Sequence, residues 1–190
     1  DLSEEEIMGR RTVTTNERQI SSFLQGKVVL VTGAGGSIGS ELARQIHRYG
    51  PQRLLLLDRD ESALHETRLR IDGDGLLTSE DLVLCDIRDS GRLMTLLREV
   101  RPDIVFHAAA LKHLTFLERF PSEAWKTNVR GTANVIAAAE AAQVPFFVNI
   151  STDKAADPSS VLGASKRITE RLVAAHQPGT GAWVSVRFGN

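Results

Sequence analysis

Cysteine is almost missing from this chain: Cys85 is the one thiol among 190 residues. A single cysteine excludes an intramolecular disulfide framework and a Cys-rich zinc site, and it fits a reducing, cytoplasmic compartment. Excess charge is missing too. The 23 Lys and Arg residues face 24 Asp and Glu, for a formal net charge of −1, so composition makes no case for nucleic acid, whose binders carry clustered basic surface. No apolar run approaches the roughly 20 residues that span a bilayer, and no N-terminal stretch has the pattern of a signal peptide. The chain is therefore expected to make no direct membrane contact. His47, His65 and His176 fall on helical stretches without carboxylate or cysteine partners at ligand spacing, so they read as surface residues and no metal site is expected. What is present, 42% hydrophobic and 25% charged residues, is the balance of a soluble globular domain.

Short runs rich in Val, Ile, Leu and Phe recur at 27–32, 53–58, 81–85, 103–107, 146–150 and 182–188. They are continuously apolar rather than alternating, which suits strands buried on both faces of a parallel sheet. Helical patterns lie between them at 37–49, 61–71, 90–100, 123–142 and 163–175. In the first, Ile38, Leu42, Ile46 and Tyr49 fall at helical spacing and predict one apolar face, and Gly50-Pro51 stops it. Strand–helix alternation of this kind predicts an α/β fold with a doubly wound parallel sheet. Residues 1–25 are too polar for a core of their own and read as a leader, with one short helix over 17–24. Residues 26–190 form the dinucleotide-binding domain, and the substrate-binding part is expected to be missing or incomplete, because the chain stops at the end of a strand.

The first apolar run leads into Gly33-x-x-Gly36-x-x-Gly39 and then a helix, the strand–turn–helix context in which a glycine triplet binds a dinucleotide. Gly33 allows the tight turn, Gly36 lets the backbone approach a pyrophosphate, and Gly39 permits close helix packing. The backbone N–H groups around Ser37 and Ile38 then face phosphate oxygens. Asp58, at the end of the second strand, is placed to accept hydrogen bonds from an adenosine ribose and to repel a 2′-phosphate, which favours NAD over NADP. Arg59 is placed to stack on adenine or to meet that phosphate. Asp86 and Ile87, after the third strand, are placed to bracket the adenine. Ala108, Ala109 and Ala110, after the fourth, are small where backbone must approach a cofactor.

The combination of the glycine turn with HAAALKH at 107–113, KTNVRGT at 126–132, STDK at 151–154, LGASK at 162–166 and RFGN at 187–190 resembles the extended short-chain dehydrogenase/reductases. Within them it resembles the polysaccharide-biosynthesis branch of nucleotide-sugar 4,6-dehydratases, which act on UDP-N-acetylglucosamine. The stretch around residues 7–10 is similar to the segment preceding the dehydratase domain in the long members of that branch. This implies a parent protein anchored at the inner face of the cell membrane. The superfamily's usual base is a Tyr four residues before a Lys; here that position is Leu162, ahead of Lys166, and the only tyrosine is Tyr49. Long dehydratases similarly replace the Tyr, typically with Met.

The resemblance implies an internal redox elimination: hydride leaves sugar C4 for the nicotinamide, water is lost across C5 and C6, and hydride returns to C6. It makes Asp153 the candidate acid for the departing hydroxyl, Lys154 the candidate base at C5, and Thr152 a relay for the 4-hydroxyl proton. Lys166 becomes a ligand of the nicotinamide ribose that favours an oxyanion. Lys112, Arg187 and Asn190 are candidate substrate ligands for a UDP-N-acetylhexosamine. His113 reads as a hydrogen-bonded structural residue, and Asn128 as an organiser of water or of the fifth-strand backbone. A UDP-sugar 4-epimerase, or a nucleotide-binding module without turnover, are the alternatives. The two long helices at 123–142 and 163–175 make a homo-oligomer an expectation of the same resemblance.

Overall fold

The computed structural model describes residues 16–73, 79–176 and 180–189. Six strands run all parallel in the order β3-β2-β1-β4-β5-β6. They are β1 (Val28–Thr32), β2 (Arg53–Asp58), β3 (Leu82–Leu84), β4 (Ile104–His107), β5 (Phe146–Thr152) and β6 (Ala182–Phe188). The order reverses at the β1–β4 pair, in register Thr32↔His107 at their C-terminal ends. The helices are α1 (Glu17–Leu24), α2 (Ser37–His47), α3 (Glu61–Asp72), α4 (Ser90–Val100), α5 (Leu114–Arg119), α6 (Pro121–Ala124), α7 (Thr132–Ala141) and α8 (Val161–Ala175).

The two-residue period of a strand sends alternate side chains to opposite faces, and each face is covered by helices. Leu30, Leu55, Leu57, Val105 and Phe147 pack with α4, α7 and α8 through residues such as Leu93, Leu97, Ile136 and Val173. Val29, Val31, Leu56 and Ile104 pack on the other face with Leu24 of α1, Ala43 and Ile46 of α2, and Leu64 of α3. The continuous apolarity of the strands thus reflects two cores. The edge strands are the exceptions: Leu84 of β3 is exposed, and on β6 Trp183 joins the first core while Val184, Val186 and Phe188 are exposed.

Three expectations need correction. The helix expected over 123–142 is instead α6, a π-helical segment at Trp125–Gly131, and α7, preceded by α5, which periodicity did not reveal. Ile38 does not join an apolar face toward the core; it is 45% exposed, and α2 buries Gly39, Ala43 and Ile46 instead. β5 runs on through Thr152, two residues past the apolar run at 146–150. The short helix expected over 17–24 is α1; the earlier leader residues lie outside the described ones. Among the described residues, no helix is long and apolar enough to cross a membrane.

Candidate cofactor and substrate cleft

Two adjoining depressions open at the C-terminal ends of the strands, beside the β1–β4 switch point where open α/β sheets hold ligands. The first, of about 270 Å³, lies between the glycine turn, the ends of β2 and β3, and Thr127. The second, of about 590 Å³, runs from Ser37 and Ile38 past Lys112 and His113 to Thr152, Lys154, Leu162 and Lys166. Gly36, Ala108, Ala110 and Leu111 line both, so the two form one bipartite groove across the start of α2.

The glycine turn is built by backbone contact. Gly33 has φ +69, and a Cβ there would strike the backbone of Ala109, so turn and post-β4 loop interlock. A Cβ on Gly39 would strike the Gly33 carbonyl oxygen, which is the close packing expected of the third glycine. Gly36 is the extended N-cap of α2 and supplies no capping side chain, leaving the first-turn N–H groups at Ser37 and Ile38 for an anion.

Asp58 organises this turn as well as facing the groove. Its Oδ2 accepts from Gly35 N at 2.9 Å, and its Oδ1 accepts from the N–H groups of Arg59 at 2.7 Å and Asp60 at 3.1 Å. Asp60 caps α3 through Ala63 N. Asp86 is gripped by Arg88 at 2.6 Å and neighboured by Arg59 at 3.8 Å; the Arg88 hydrogen bonds hold its carboxyl below the usual range. Arg59 thus reaches across the mouth of the first depression toward Asp86. Ile87 lines the same depression, and its carbonyl accepts from Asn134 Nδ2 at 3.1 Å.

At the far end, Thr152 closes β5, and its Oγ1 donates to Asp153 Oδ1 at 2.9 Å. The same oxygen accepts from Lys154 N at 2.8 Å and lies 3.4 Å from Lys154 Nζ. The Thr152 hydroxyl, ahead of Lys154, holds the Asp153 carboxyl below its ordinary range, so Asp153 stands as a carboxylate. Thr152 and Lys154 line the cleft, whereas Asp153 sits behind Thr152. Lys166 is 8% exposed and donates to the Ile150 carbonyl at 2.8 Å. Burial pushes its ammonium down to about 8, against the opposing pull of Glu170. Leu162 packs with Leu117 and Ala124 in a small apolar cluster beside the cleft.

Some expected contacts are absent or moved. Lys112 Nζ donates to Ser37 Oγ at 3.1 Å across the groove. His113 is exposed and precedes α5 without a capping hydrogen bond, its ring edge-on to Phe116 at 6.3 Å, so it is not the hydrogen-bonded structural residue expected. Asn128 holds the post-β4 loop rather than the fifth strand: Oδ1 accepts from Leu111 N at 2.8 Å, and Nδ2 donates to Leu111 O and Ser165 Oγ, each at 3.0 Å. Arg187 does not line the cleft. Strand alternation turns Trp183, Ser185 and Arg187 toward α8, where Arg187 grips Glu170 at 2.8 and 2.7 Å. Phe188 and Gly189 line the cleft instead; Asn190 lies outside the described residues.

The sequence reading passed over His107 and Glu170. The His107 ring is fully buried and bridges Thr32 Oγ1 at 2.7 Å and Thr132 Oγ1 at 2.8 Å, tying β1, β4 and α7 beneath the groove. Burial, with Lys166 adding to it, pushes the imidazole down to about 3, so it is neutral. Its signal was present as a histidine ending an apolar strand. Glu170 accepts from Ser151 Oγ at 2.7 Å as well as from Arg187, a pairing that only the fold brings together.

Residues 29–190 match the family described as polysaccharide biosynthesis protein. The chain belongs to this family. It is 40% identical over 192 residues to the probable polysaccharide biosynthesis protein EpsC of Bacillus subtilis, covering 100% of this chain and 32% of EpsC. It is 34% identical to an inverting UDP-N-acetylglucosamine 4,6-dehydratase of Campylobacter jejuni, over 80% of this chain and 44% of that protein. Its fold superposes with a TM-score of 0.68 on a UDP-glucose 4-epimerase of Stenotrophomonas maltophila with bound NAD and a formylated UDP-arabinopyranose. There the identity is 27%, over 78% of this chain and 48% of the epimerase. The chain therefore spans between a third and a half of the length of these members and neighbours. The family match and the bipartite groove rest on the same residues, since the glycine turn, the HAAALKH loop and the STDK strand end all lie inside the matched span.

Proposed function

We propose that this chain is the cofactor-binding part of an NAD-dependent enzyme that dehydrates a UDP-N-acetylhexosamine. The observation that carries this reading is the placement of Thr152, with Asp153 behind it, and of Lys154 at the end of a groove that continues from the glycine turn. The groove fits a dinucleotide. Asp58 and Asp86 border its adenosine end, the open N–H groups of α2 sit at its middle, and Lys166 lies beneath its far end. NAD supplies a reversible hydride acceptor when bound.

The chain's own residues move the protons. Thr152 takes the proton of the sugar 4-hydroxyl and passes its own to the Asp153 carboxylate along their hydrogen bond. Asp153, now protonated, returns that proton through the Thr152 hydroxyl to the departing C6 hydroxyl, which leaves as water. Lys154 takes the C5 proton and afterwards returns one to C5, so that no net proton is consumed. Lys166 keeps positive charge beside the developing oxyanion. Leu162 supplies no proton and shields this end of the cleft with apolar surface.

A 4-epimerase needs no base at C5 and no acid for a leaving hydroxyl, so the Asp153–Lys154 pair favours dehydration. The test is turnover of UDP-N-acetylglucosamine in deuterium oxide by the chain extended beyond residue 190. A 4-keto-6-deoxy product carrying deuterium at C5 is expected. A 4-epimer with an undisturbed C6 hydroxyl would establish epimerisation instead, and binding with neither product would leave a nucleotide-binding module.

A further inference from the structure

Glu170 holds a carboxylate behind the reactive end of the cleft without reaching the cleft itself. Its side chain is 11% exposed and lines a depression between α8 and β6, with Trp183, Ser185 and Arg187, that shares no lining residue with the bipartite groove. Three elements meet on it. Ser151 Oγ donates to it at 2.7 Å near the end of β5, Arg187 donates two hydrogen bonds from the register-paired position on β6, and Arg167 of α8 stands at 3.5 Å. Ser151 directly precedes Thr152. Lys166 lies one helical turn before Glu170, its ammonium on the Ile150 carbonyl, so the two side chains share one face of α8. A tie between α8 and the strands needs no charge, since a buried ion pair is often replaced by apolar packing without loss of stability. The charge has a use beside Lys166. Of the groups on the elements packed there, Lys112, Lys154, Arg167 and Arg187 are cationic, His107 is neutral, and the Asp153 carboxylate is engaged by Thr152 and Lys154.

We propose that Glu170 is a positioning residue for Lys166: its carboxylate is the counter-charge that keeps the buried ammonium charged and anchored at the floor of the cleft. Burial alone drives that ammonium toward the neutral amine, and Glu170 opposes it. An ammonium carries three donors; the Ile150 carbonyl takes one, and the charge is what makes the group useful to a developing oxyanion. This assignment rests on the reading of Lys166 as the positive charge beside that oxyanion and goes beyond it by naming what sustains the charge.

The test is a nuclear magnetic resonance titration of Lys166 in this chain with isotope-labelled lysine, its signal assigned by its loss in Lys166→Arg. Glu170→Gln should lower the Lys166 midpoint by about 1 pH unit, and Glu170→Asp should restore most of it. Arg187→Gln removes the competing cation and leaves the carboxylate, so there the midpoint should rise; this arm decides alone if Glu170→Gln does not fold. A merely structural tie predicts otherwise, because both substitutions weaken the same link between α8 and β6. A midpoint unchanged in Glu170→Gln, or unchanged or lowered in Arg187→Gln, would overturn the proposal and leave the dehydratase reading standing. In the chain extended beyond residue 190, Glu170→Gln should reduce kcat for UDP-N-acetylglucosamine about fivefold at about pH 8, with KM within about twofold. The deficit should close below about pH 6, where Lys166 is charged in both proteins. A loss of kcat uniform across pH would overturn the step from charge to turnover. No turnover by the wild-type extended chain would count against the dehydratase reading, and the titration would still decide the role of Glu170.

Discussion

His107 shows how much one side chain under the groove decides. Its ring is enclosed by Thr32, Thr132 and the sheet, and the pull of burial keeps it neutral, with its pKa down to about 3. An exposed histidine in the unfolded chain titrates near 6.5, so between about 6.5 and 3 the unfolded state binds the extra proton and the folded state does not. Stability from this group is complete above about pH 6.5 and falls as pH drops through that window, by an amount on the order of several kcal/mol. Chemical denaturation at pH 7 and pH 4.5 should therefore show a steep acid loss that His107→Gln flattens. An acid slope identical in the variant would mean that the carboxylates alone carry it. Among the groove-lining residues, the glycines and Asp58 were legible because each occupies a fixed offset from a strand end, whereas the Thr152–Lys154 run was singled out only through the family resemblance. Arg88 and Glu170 were not legible, because their partners Asp86 and Arg187 become neighbours through loop conformation and the packing of α8 on β6 respectively.

At the scale of elements, the π-helical segment is the feature that periodicity concealed. Its residues KTNVRG continue a helical sequence without proline or an internal break, so composition offers no sign that the winding widens there. What distinguishes it is a tertiary demand. Asn128 must reach the Leu111 backbone and Ser165 together, while Gly131 packs on Ile87. Asn128→Ala removes all three hydrogen bonds and leaves the Leu111 N–H and carbonyl unpaired in a partly buried loop. We expect a loss of about 2–3 kcal/mol in urea unfolding, with faster hydrogen exchange confined to the post-β4 loop and α8. Wild-type stability in that variant would show that the segment is held by packing alone. By contrast α4, β2 and β6 fall where the sequence pattern puts them. Asp89 caps α4 through Arg92 N.

For the whole molecule, the doubly wound sheet was legible because apolar runs without alternation require helices on both faces, and the helical patterns between them supply those helices. The strand order was not, since it is set by pairing between distant parts of the chain. β1, β2 and β3 with their loops line most of the first depression, while β4, β5 and α8 bring Lys112, Thr152, Lys154 and Lys166 to the second. A ligand spanning both sides should stabilise the domain as a unit. At a hundredfold excess over its Kd, NAD should contribute ~2.7 kcal/mol, a rise in Tm of roughly 5–10 °C for a domain of this size. We propose that the choice between cofactors lies with Asp58. Its carboxylate is fixed by three N–H groups and meets a 2′-phosphate as one anion meets another. Asp58→Asn removes the charge and keeps one of the two accepting oxygens, so either the Gly35 N–H or the Arg59 and Asp60 N–H pair loses its acceptor. It should reduce the NAD shift and narrow the gap between NAD and NADP, read from paired melting curves at equal ligand concentration. An unchanged gap would move the discrimination to Arg59 and Arg88, whose guanidinium groups flank Asp86 at the mouth of the same groove.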